Sequence, residues 1–124
     1  MRAYLAGPYS QPDQAVNVRN AILAASRLVD AGHVPFVPHL THLWNLVAPR
    51  PYEDWLRLDL VWVGQCEALI RLPGESPGAD REVAEARRLG LPVYEGVGAF
   101  LEAEEAHAEM MEQRRTDYPN DLPF

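Results

Sequence analysis

The 124-residue sequence contains no lysine, and all eleven of its basic residues are arginine. Eighteen acidic residues bring the formal net charge to −7. The arginines form no basic run, so the chain lacks the positive surface that attracts nucleic acid polymers and anionic membranes. We therefore predict neither of these as a partner, and we draw no mechanism from the missing lysine.

Cysteine and long apolar segments are also scarce. The single cysteine, Cys66, excludes an internal disulfide, and no spacing typical of a zinc site occurs. No apolar run approaches the roughly 20 residues that cross a bilayer. The N-terminus lacks the charged and apolar regions of a signal peptide, so we expect a cytoplasmic protein.

The hydrophobic pattern alternates between short apolar runs and segments with helical spacing. It predicts four strands, over residues 2–6, 34–37, 68–72 and 92–94. It also predicts four helices: from Ser10 or Pro12 to Gly32, from Pro51 to about Gln65, from the 73–77 loop to Gly90, and from Val97 to about Arg115. Residues 39–50 are predicted to form a loop, and a tail ends at Phe124. Strand–helix alternation predicts an α/β fold, a Rossmann-like parallel sheet of four to five strands with helices on both faces. We expect a single domain over residues 1–124, with 97–124 forming its C-terminal helix and tail.

In the first helix, Val18, Ile22, Ala25 and Val29 recur at helical spacing and are expected to face the core. Ligands of parallel sheets bind where the strands end at their carboxyl edge. Three loops are expected to meet there: 7–10, 38–42 and 73–77.

The loop before the third helix is the most informative segment. Ser76, Gly78 and Ala79 stand where that helix begins, and the free N–H groups of a helix start form an anion site. Ser76 is also a typical N-cap residue, and the two roles are compatible. Glu82 lies one turn further, beside the apolar stripe that faces the sheet. Most helical glutamates are surface residues, and Glu85 is the nearest alternative.

Asp59 is the second unusual carboxyl, because its helical neighbours are apolar: Trp55, Leu56, Trp62 and Val63. Burial there would raise its pKa, as a proton donor near neutral pH requires. A buried aspartate that caps a backbone group explains the pattern equally well. Asp54 lies between Arg50 and Arg57, which predicts a solvated position.

Tyr4, Tyr9 and the histidines also lie near the expected loops. The residues alone favour a structural role for each tyrosine, with Tyr4 as a core aromatic and Tyr9 as a loop aromatic. His39 and His42 are three residues apart, but they follow a strand and have no evident third ligand, so we predict no metal. Residues 7–10 are not a dinucleotide fingerprint and no P-loop is present, so we predict no cofactor.

Taken in order, these residues resemble the nucleoside 2-deoxyribosyltransferase superfamily, and within it a small bacterial and phage branch similar to nucleoside 5′-monophosphate N-glycosidases. The resemblance covers about residues 2–94, and its elements are Tyr4-Leu5-Ala6-Gly7-Pro8-Tyr9, Pro38-His39, Asp59 and Ser76-x-Gly78-Ala79-x-x-Glu82. It implies that Glu82 attacks the anomeric carbon, that Asp59 assists the departing base and that Tyr4 positions the nucleophile. Gly7, Pro8, Tyr9, His39, Ser76, Gly78 and Ala79 are the substrate-binding positions that it implies.

The resemblance also bears on the substrate. Serine at the position of Ser76 is typical of members that hydrolyse nucleoside monophosphates, whereas aspartate there is typical of members that act on free nucleosides. Asp80 departs from the family, which often has glycine two residues before the glutamate, and its side chain is expected to crowd the sugar or bind one of its hydroxyls. Glu75 and Asp80 oppose a phosphate at the loop, whereas Arg81 could compensate.

The function predicted is cleavage or transfer of the N-glycosidic bond of a nucleoside or its 5′-monophosphate. A nucleotide-binding or sensing module without chemistry and a purely structural protein are the alternatives. The family borrows residues from a neighbouring subunit, and residues 118–121 could supply them. We expect a homodimer or larger homo-oligomer, because the last helix carries Phe100, Leu101, Met110 and Met111 among its charges.

Overall fold

A computed structural model describes residues 1–117. Within them, four strands form one parallel sheet in the order β2-β1-β3-β4. The strands are β1 (Arg2–Ala6), β2 (Val34–Phe36), β3 (Ala68–Arg71) and β4 (Val93–Glu95). The predicted α/β class and parallel sheet are confirmed.

Helices cover both faces of the sheet, and β1 and β3 are therefore buried on both sides. Ala3 and Leu5 of β1 belong to one core cluster, and Tyr4 and Ala6 belong to the other. The first cluster packs under α1 (Gln14–Asp30) and α5 (Val97–Asp117), and the second packs under α3 (Tyr52–Val63) and α4 (Pro77–Arg88).

The chain order places a topological switch point between β1 and β3. The chain leaves β1 towards β2 on one side, and it later leaves β3 towards β4 on the other side. In open parallel sheets, ligands bind at the carboxyl edge of the strands beside such a switch point. This is the edge at which the sequence predicted a ligand site.

The segment predicted as a loop over residues 39–50 is largely helical, so that prediction is wrong. A 3-10 helix spans Pro38–Thr41, and α2 spans His42–Val47. Pro38 starts the helical segment, and no glycine or proline interrupts it before Pro49. None of the α2 residues is buried, so the segment has no core-facing stripe that would have identified it.

The first helix starts later and faces the core differently than predicted. Asp13 caps it by accepting a hydrogen bond from the Val16 amide. Ala21 and Leu28 are the buried residues, with Ala24 and Ala25 packed beside them, whereas Ile22 and Val29 are exposed. Small alanines let α1 approach the sheet closely, and the larger branched residues therefore lie outside.

The remaining differences from the predicted bounds are one or two residues at element ends. Two residues that the sequence assigned to assembly, Phe100 and Leu101, pack in the core of the same chain, and Phe100 is fully buried. Met110 and Met111 are exposed. None of the helices in residues 1–117 is long and apolar enough to cross a membrane. The predicted contribution of residues 118–121 to a neighbouring site lies outside the described residues.

Candidate active site

Glu82 is buried on the inner face of α4, with only 6% of its surface exposed. Ser76 starts that helix as its N-cap, accepting a hydrogen bond from the Ala79 amide at 3.1 Å. The predicted apolar stripe of α4, formed by Ala79, Val83 and Ala86, packs against the sheet. Glu82 lies beside this stripe and therefore also faces inward. A carboxyl group in such a place is costly unless it is paired or used chemically.

Tyr4 supplies the polar contact that Glu82 makes. Its hydroxyl donates a hydrogen bond to Oε2 of Glu82, and its side chain is completely buried. The Tyr4 ring stacks on Phe36 with centroids 5.6 Å apart, and Phe36 stacks in turn on Trp62 at 4.8 Å. These contacts fix the ring, so the hydroxyl is held against the carboxyl group.

Asp59 is the second carboxyl group of this cluster. It lies half-buried on α3, and burial raises its pKa to about 7. That direction agrees with the prediction from its apolar helical neighbours. The negative charge of Asp59 also acts on both Glu82 and Tyr4, raising their pKa values, so the three groups share one electrostatic environment.

The protonation of Glu82 reflects opposing effects. Burial raises its pKa to about 8, and the charge of Asp59 adds to the rise. The Tyr4 hydroxyl and the positive charge of Arg71 act in the other direction, because both stabilise the carboxylate. Two carboxyl groups that titrate near neutral pH can hold one proton between them, as acid–base chemistry at a single bond requires.

Glu85 and Asp54 behave as surface carboxylates. Arg88 donates two hydrogen bonds to Glu85, at 2.9 and 2.6 Å, and lowers its pKa. Asp54, for which the sequence predicted a solvated position, forms ion pairs with Arg50 and Arg57. Neither group shares the burial of Glu82.

A second group of polar residues surrounds the loop after β1. His39 is buried, and its Nε2 donates to the Pro8 carbonyl at 2.9 Å, so the neutral ring carries its proton on Nε2. Burial lowers the pKa of His39. Within residues 1–117, Nδ1 of His39 is buried without a hydrogen-bond partner. The Tyr9 hydroxyl lies 2.7 Å from Nδ1 of His42. Residues 1–117 contain no group of three or more side chains placed to hold a metal ion.

Close contacts join the loops at this edge of the sheet. A Cβ on Gly7 would lie 2.8 Å from Cβ of Leu72, so only glycine lets the β1 and β3 loops approach this far. A Cβ on Gly78 would lie 2.6 Å from the Tyr52 hydroxyl. Tyr52, at the start of α3, thus reaches over the first turn of α4, a contact that the sequence analysis missed.

Arg71 is the other residue that the sequence analysis missed. It ends β3 and donates hydrogen bonds to the carbonyls of Leu72 and Gly74 and to Oδ1 of Asp80. Asp80 is therefore paired with Arg71, whereas the sequence analysis expected its side chain to lie against a sugar. Arg81 pairs with Glu53 at 3.0 Å. The sequence signal that could have identified Arg71 is its charge at the end of an otherwise apolar strand.

A crevice of about 350 Å³ lies between α1 and the start of α5, and Pro8 and Leu72 from the loops after β1 and β3 also line it. Asn20, Arg27 and Val97 are among its lining residues, whereas neither Glu82 nor Asp59 lines it. We place the candidate active site at Glu82 because the buried, electrostatically linked groups are there.

The fold is that of a nucleoside deoxyribosyltransferase-like α/β domain. Among solved structures, the chain is similar to a 2-deoxyribosyltransferase from the psychrotolerant bacterium Bacillus psychrosaccharolyticus, with a TM-score of 0.55 and 22% sequence identity over 75% of this chain and 69% of that one. That enzyme is described as a suitable biocatalyst for the synthesis of antiviral and antitumoral nucleosides. At this identity, the likeness shows the fold.

The chain belongs to the family described as a domain of unknown function, DUF7768, whose model matches residues 1–95. No curated protein matches the chain. The matched segment contains all the groups of the candidate site, from Tyr4 to Glu82.

Proposed function

We propose that the protein cleaves or transfers the N-glycosidic bond of a nucleoside or its 5′-monophosphate, through a covalent glycosyl ester on Glu82. The observation that carries the proposal is the buried pair of carboxyl groups, Glu82 and Asp59, with the Tyr4 hydroxyl donating to Glu82. The position of this cluster at the switch point of the sheet supports the proposal. The similarity of the fold to that of a nucleoside-processing enzyme supports it as well.

In the first half-reaction, Glu82 attacks the anomeric carbon and the base leaves. Tyr4 donates to Oε2, so the attack falls to Oε1. A bond forms between Oε1 and the anomeric carbon while the N-glycosidic bond breaks, and its electron pair goes to the base nitrogen. Protonated Asp59 then supplies a proton to the departing base.

In the second half-reaction, water or the nitrogen of a second base attacks the anomeric carbon. Asp59, now a carboxylate, accepts the proton of that nucleophile, and Glu82 is released as a carboxylate. The cycle thus returns both carboxyl groups to their starting states. Water as the acceptor gives hydrolysis, and a base gives transfer.

The start of α4 is suited to the 5′-phosphate of a monophosphate substrate. Ser76 accepts the Ala79 amide through Oγ, which leaves its hydroxyl hydrogen to be donated to a ligand. The backbone N–H group of Gly78, in the first turn, points out of the helix at its N-terminus, which is the positive end of the helix dipole and attracts an anion. Asp80, which would repel a phosphate, is paired with Arg71 at 3.2 Å. We propose that Gly7, Pro8, Tyr9 and His39 line the rest of the substrate site.

A panel of nucleosides and 5′-monophosphates, monitored for free base, tests this function. We expect base release by the native protein and a loss of several orders of magnitude in Glu82→Ala, because the nucleophile is removed. Glu85→Ala is the matched control on the same helix and should be nearly as active as the native protein. An inactive Glu85→Ala beside an active Glu82→Ala would refute the placement of the site.

A nucleotide-binding or sensing module is the second candidate, and one observation favours it. With its pKa raised to about 8, Glu82 is mostly protonated at neutral pH, and a neutral carboxyl group binds a ligand by hydrogen bonds without attacking it. Calorimetry that shows nucleotide binding, together with no base release over days, would establish this function instead.

A further inference from the structure

The short helix α2 turns its two polar residues towards the rest of the chain. His42 and Asn45 are half-buried, and residues three apart lie on the same face of a helix. The other residues of α2 are apolar and exposed: Leu43, Trp44, Leu46 and Val47. Because α2 buries no apolar stripe, its hydrogen bonds to neighbouring elements come from His42 and Asn45.

His42 holds the loop after β1. Its Nδ1 lies 2.7 Å from the Tyr9 hydroxyl, and the two rings pack edge to face with centroids 5.9 Å apart. The backbone of the same loop is held by α1, because the Asn17 side chain donates to the carbonyls of Tyr9 and Gln11 at 3.0 and 2.9 Å. Tyr9 is therefore fixed between α1 and α2.

Asn45 connects α2 to α3. Its Oδ1 accepts hydrogen bonds from Nε1 of Trp55 at 2.8 Å and from the Arg50 amide at 3.1 Å. The Trp44 ring also packs edge to face against Trp55, with centroids 5.1 Å apart. Trp55 lies one turn before Asp59, and residues four apart share a face of a helix. The contacts of Asn45 and Trp44 therefore hold the part of α3 that leads to Asp59.

We propose that α2 is a positioning helix for the candidate active site, in which His42 fixes Tyr9 and Asn45 fixes α3. The two contacts together keep the loop after β1 in place relative to the helix that carries Asp59. Neither His42 nor Asn45 needs to touch the substrate. The effect on turnover rests on the proposed function, whereas the contacts themselves do not.

A double-mutant cycle on Tyr9 and His42 tests the first contact, with kcat and KM measured for the 5′-monophosphate that the native protein cleaves fastest in the panel. Tyr9→Phe and His42→Phe each remove one hydrogen-bond partner and keep a ring. We expect each to raise KM about fivefold and to change kcat much less, because the bond orders a loop of the proposed substrate site. The double variant should lose no more than either single variant, since both act through one bond.

Asn45→Leu tests the second contact, because leucine has a similar volume but cannot accept the Trp55 hydrogen bond. We expect kcat to fall roughly tenfold, because displacement of α3 moves the proposed proton donor Asp59. Conservative variants should restore both contacts: His42→Asn retains a polar atom near the position of Nδ1, and Asn45→Asp retains the acceptor oxygen. Tyr94→Phe, on β4, is the control and should leave kcat and KM unchanged.

A measurement without substrate separates this proposal from the proposed function. Backbone ¹⁵N order parameters of Ser10 and Gln11 should fall in Tyr9→Phe and in His42→Phe, and they should stay near native values in His42→Asn. Tyr9→Phe tests the same bond if His42→Phe does not fold.

Unchanged order parameters in both phenylalanine variants would overturn the positioning role. Additive effects on KM in the cycle would also overturn it, and so would variants that lower only Tm, since α2 would then have a purely structural role. If the order parameters fall as expected but no nucleoside or nucleotide is cleaved, the proposed function fails and the positioning of the loop by α2 stands.

Discussion

At the scale of single residues, the burial of Glu82 costs folding free energy, which would not be expected of a purely structural glutamate. It is almost completely buried, and burial raises its pKa to about 8 from an ordinary value of 4.5. The folded protein therefore binds a proton at Glu82 more tightly than the unfolded chain does. Such a group stabilises the fold fully below its unfolded pKa, and that stability is lost as the pH rises through the folded pKa.

Glu82→Gln should therefore raise the stability of the protein at pH 8.5 and leave it nearly unchanged at pH 4. The amide keeps an oxygen that accepts the Tyr4 hydrogen bond but never becomes charged. We expect a gain on the order of 1–3 kcal/mol at pH 8.5, or several degrees in Tm. Thermal unfolding at the two pH values measures it.

Glu85→Gln is the control for this stability prediction, and its sign is opposite. Arg88 lowers the pKa of Glu85, so that carboxylate stabilises the fold above its unfolded pKa, and its loss should slightly destabilise the protein at pH 8.5. A lower Tm for Glu82→Gln at pH 8.5 would contradict the electrostatic description of the site.

Asp59→Asn should reduce activity most for substrates with poor leaving bases, because asparagine cannot deliver a carboxylic proton. The native protein should show a bell-shaped kcat/KM profile with its maximum between pH 7 and 8, where Asp59 and Glu82 titrate. The variant should lose the alkaline fall and rise to a plateau. Equal losses for activated and unactivated leaving groups would leave Asp59 with a structural role.

At the scale of secondary structure elements, the proposed preference for monophosphates over free nucleosides depends on the start of α4. Ser76 has a structural task as the N-cap, so a useful substitution must keep the capping oxygen. Aspartate and asparagine are both good N-cap residues, and they differ in charge. This pair of substitutions separates capping from ligand recognition.

The native protein should prefer a 5′-monophosphate over the matching nucleoside, and Ser76→Asp should shift that preference at least tenfold towards the nucleoside. The introduced carboxylate repels a phosphate, whereas Ser76→Asn should shift it much less. The ratio of kcat/KM for the two substrates measures the effect. A native preference of tenfold or more for the free nucleoside would make transfer between bases the better description.

How far the sequence predicted these elements depended on whether a segment faces the core. The sheet and four of the five α-helices were predicted because their apolar residues recur at regular spacing. Helix α2 was missed because all its apolar residues face outward. In the site, apolar neighbours identified Asp59, and a motif identified Glu82 and Ser76. Arg71 carries a local signal, since it is a charged residue at the end of an apolar strand, but its contacts and those of Tyr52 depend on where the loops meet, which the sequence pattern does not encode.

At the scale of the whole molecule, α2 presents an unusual surface. Leu43, Leu46 and Val47 are 71%, 63% and 86% exposed, and Trp44 is half exposed beside them. Contiguous apolar residues on the outside of a small protein commonly mark an interaction surface. This surface gives the predicted assembly a firmer basis than Phe100, which is committed to the core.

We expect the protein to be a dimer or larger at micromolar concentration, and the double substitution Leu43→Lys with Val47→Lys should shift it towards the monomer. Two buried charges would oppose a second copy without touching the core of the chain. Met110→Lys with Met111→Lys on α5 is the control and should change the assembly little. Light scattering that shows a strict monomer for the native protein would refute the prediction.

The hydrogen bond between Tyr4 and Glu82 joins residues 78 positions apart in the chain. Such a contact forms only after β1 and β3 have paired and α4 has docked, since each of the two side chains is held by a different layer. Loop closure over this distance is slow and entropically costly. We therefore expect the Tyr4–Glu82 cluster to assemble late in folding, and recovery of the proposed activity during refolding should lag behind the recovery of helical signal.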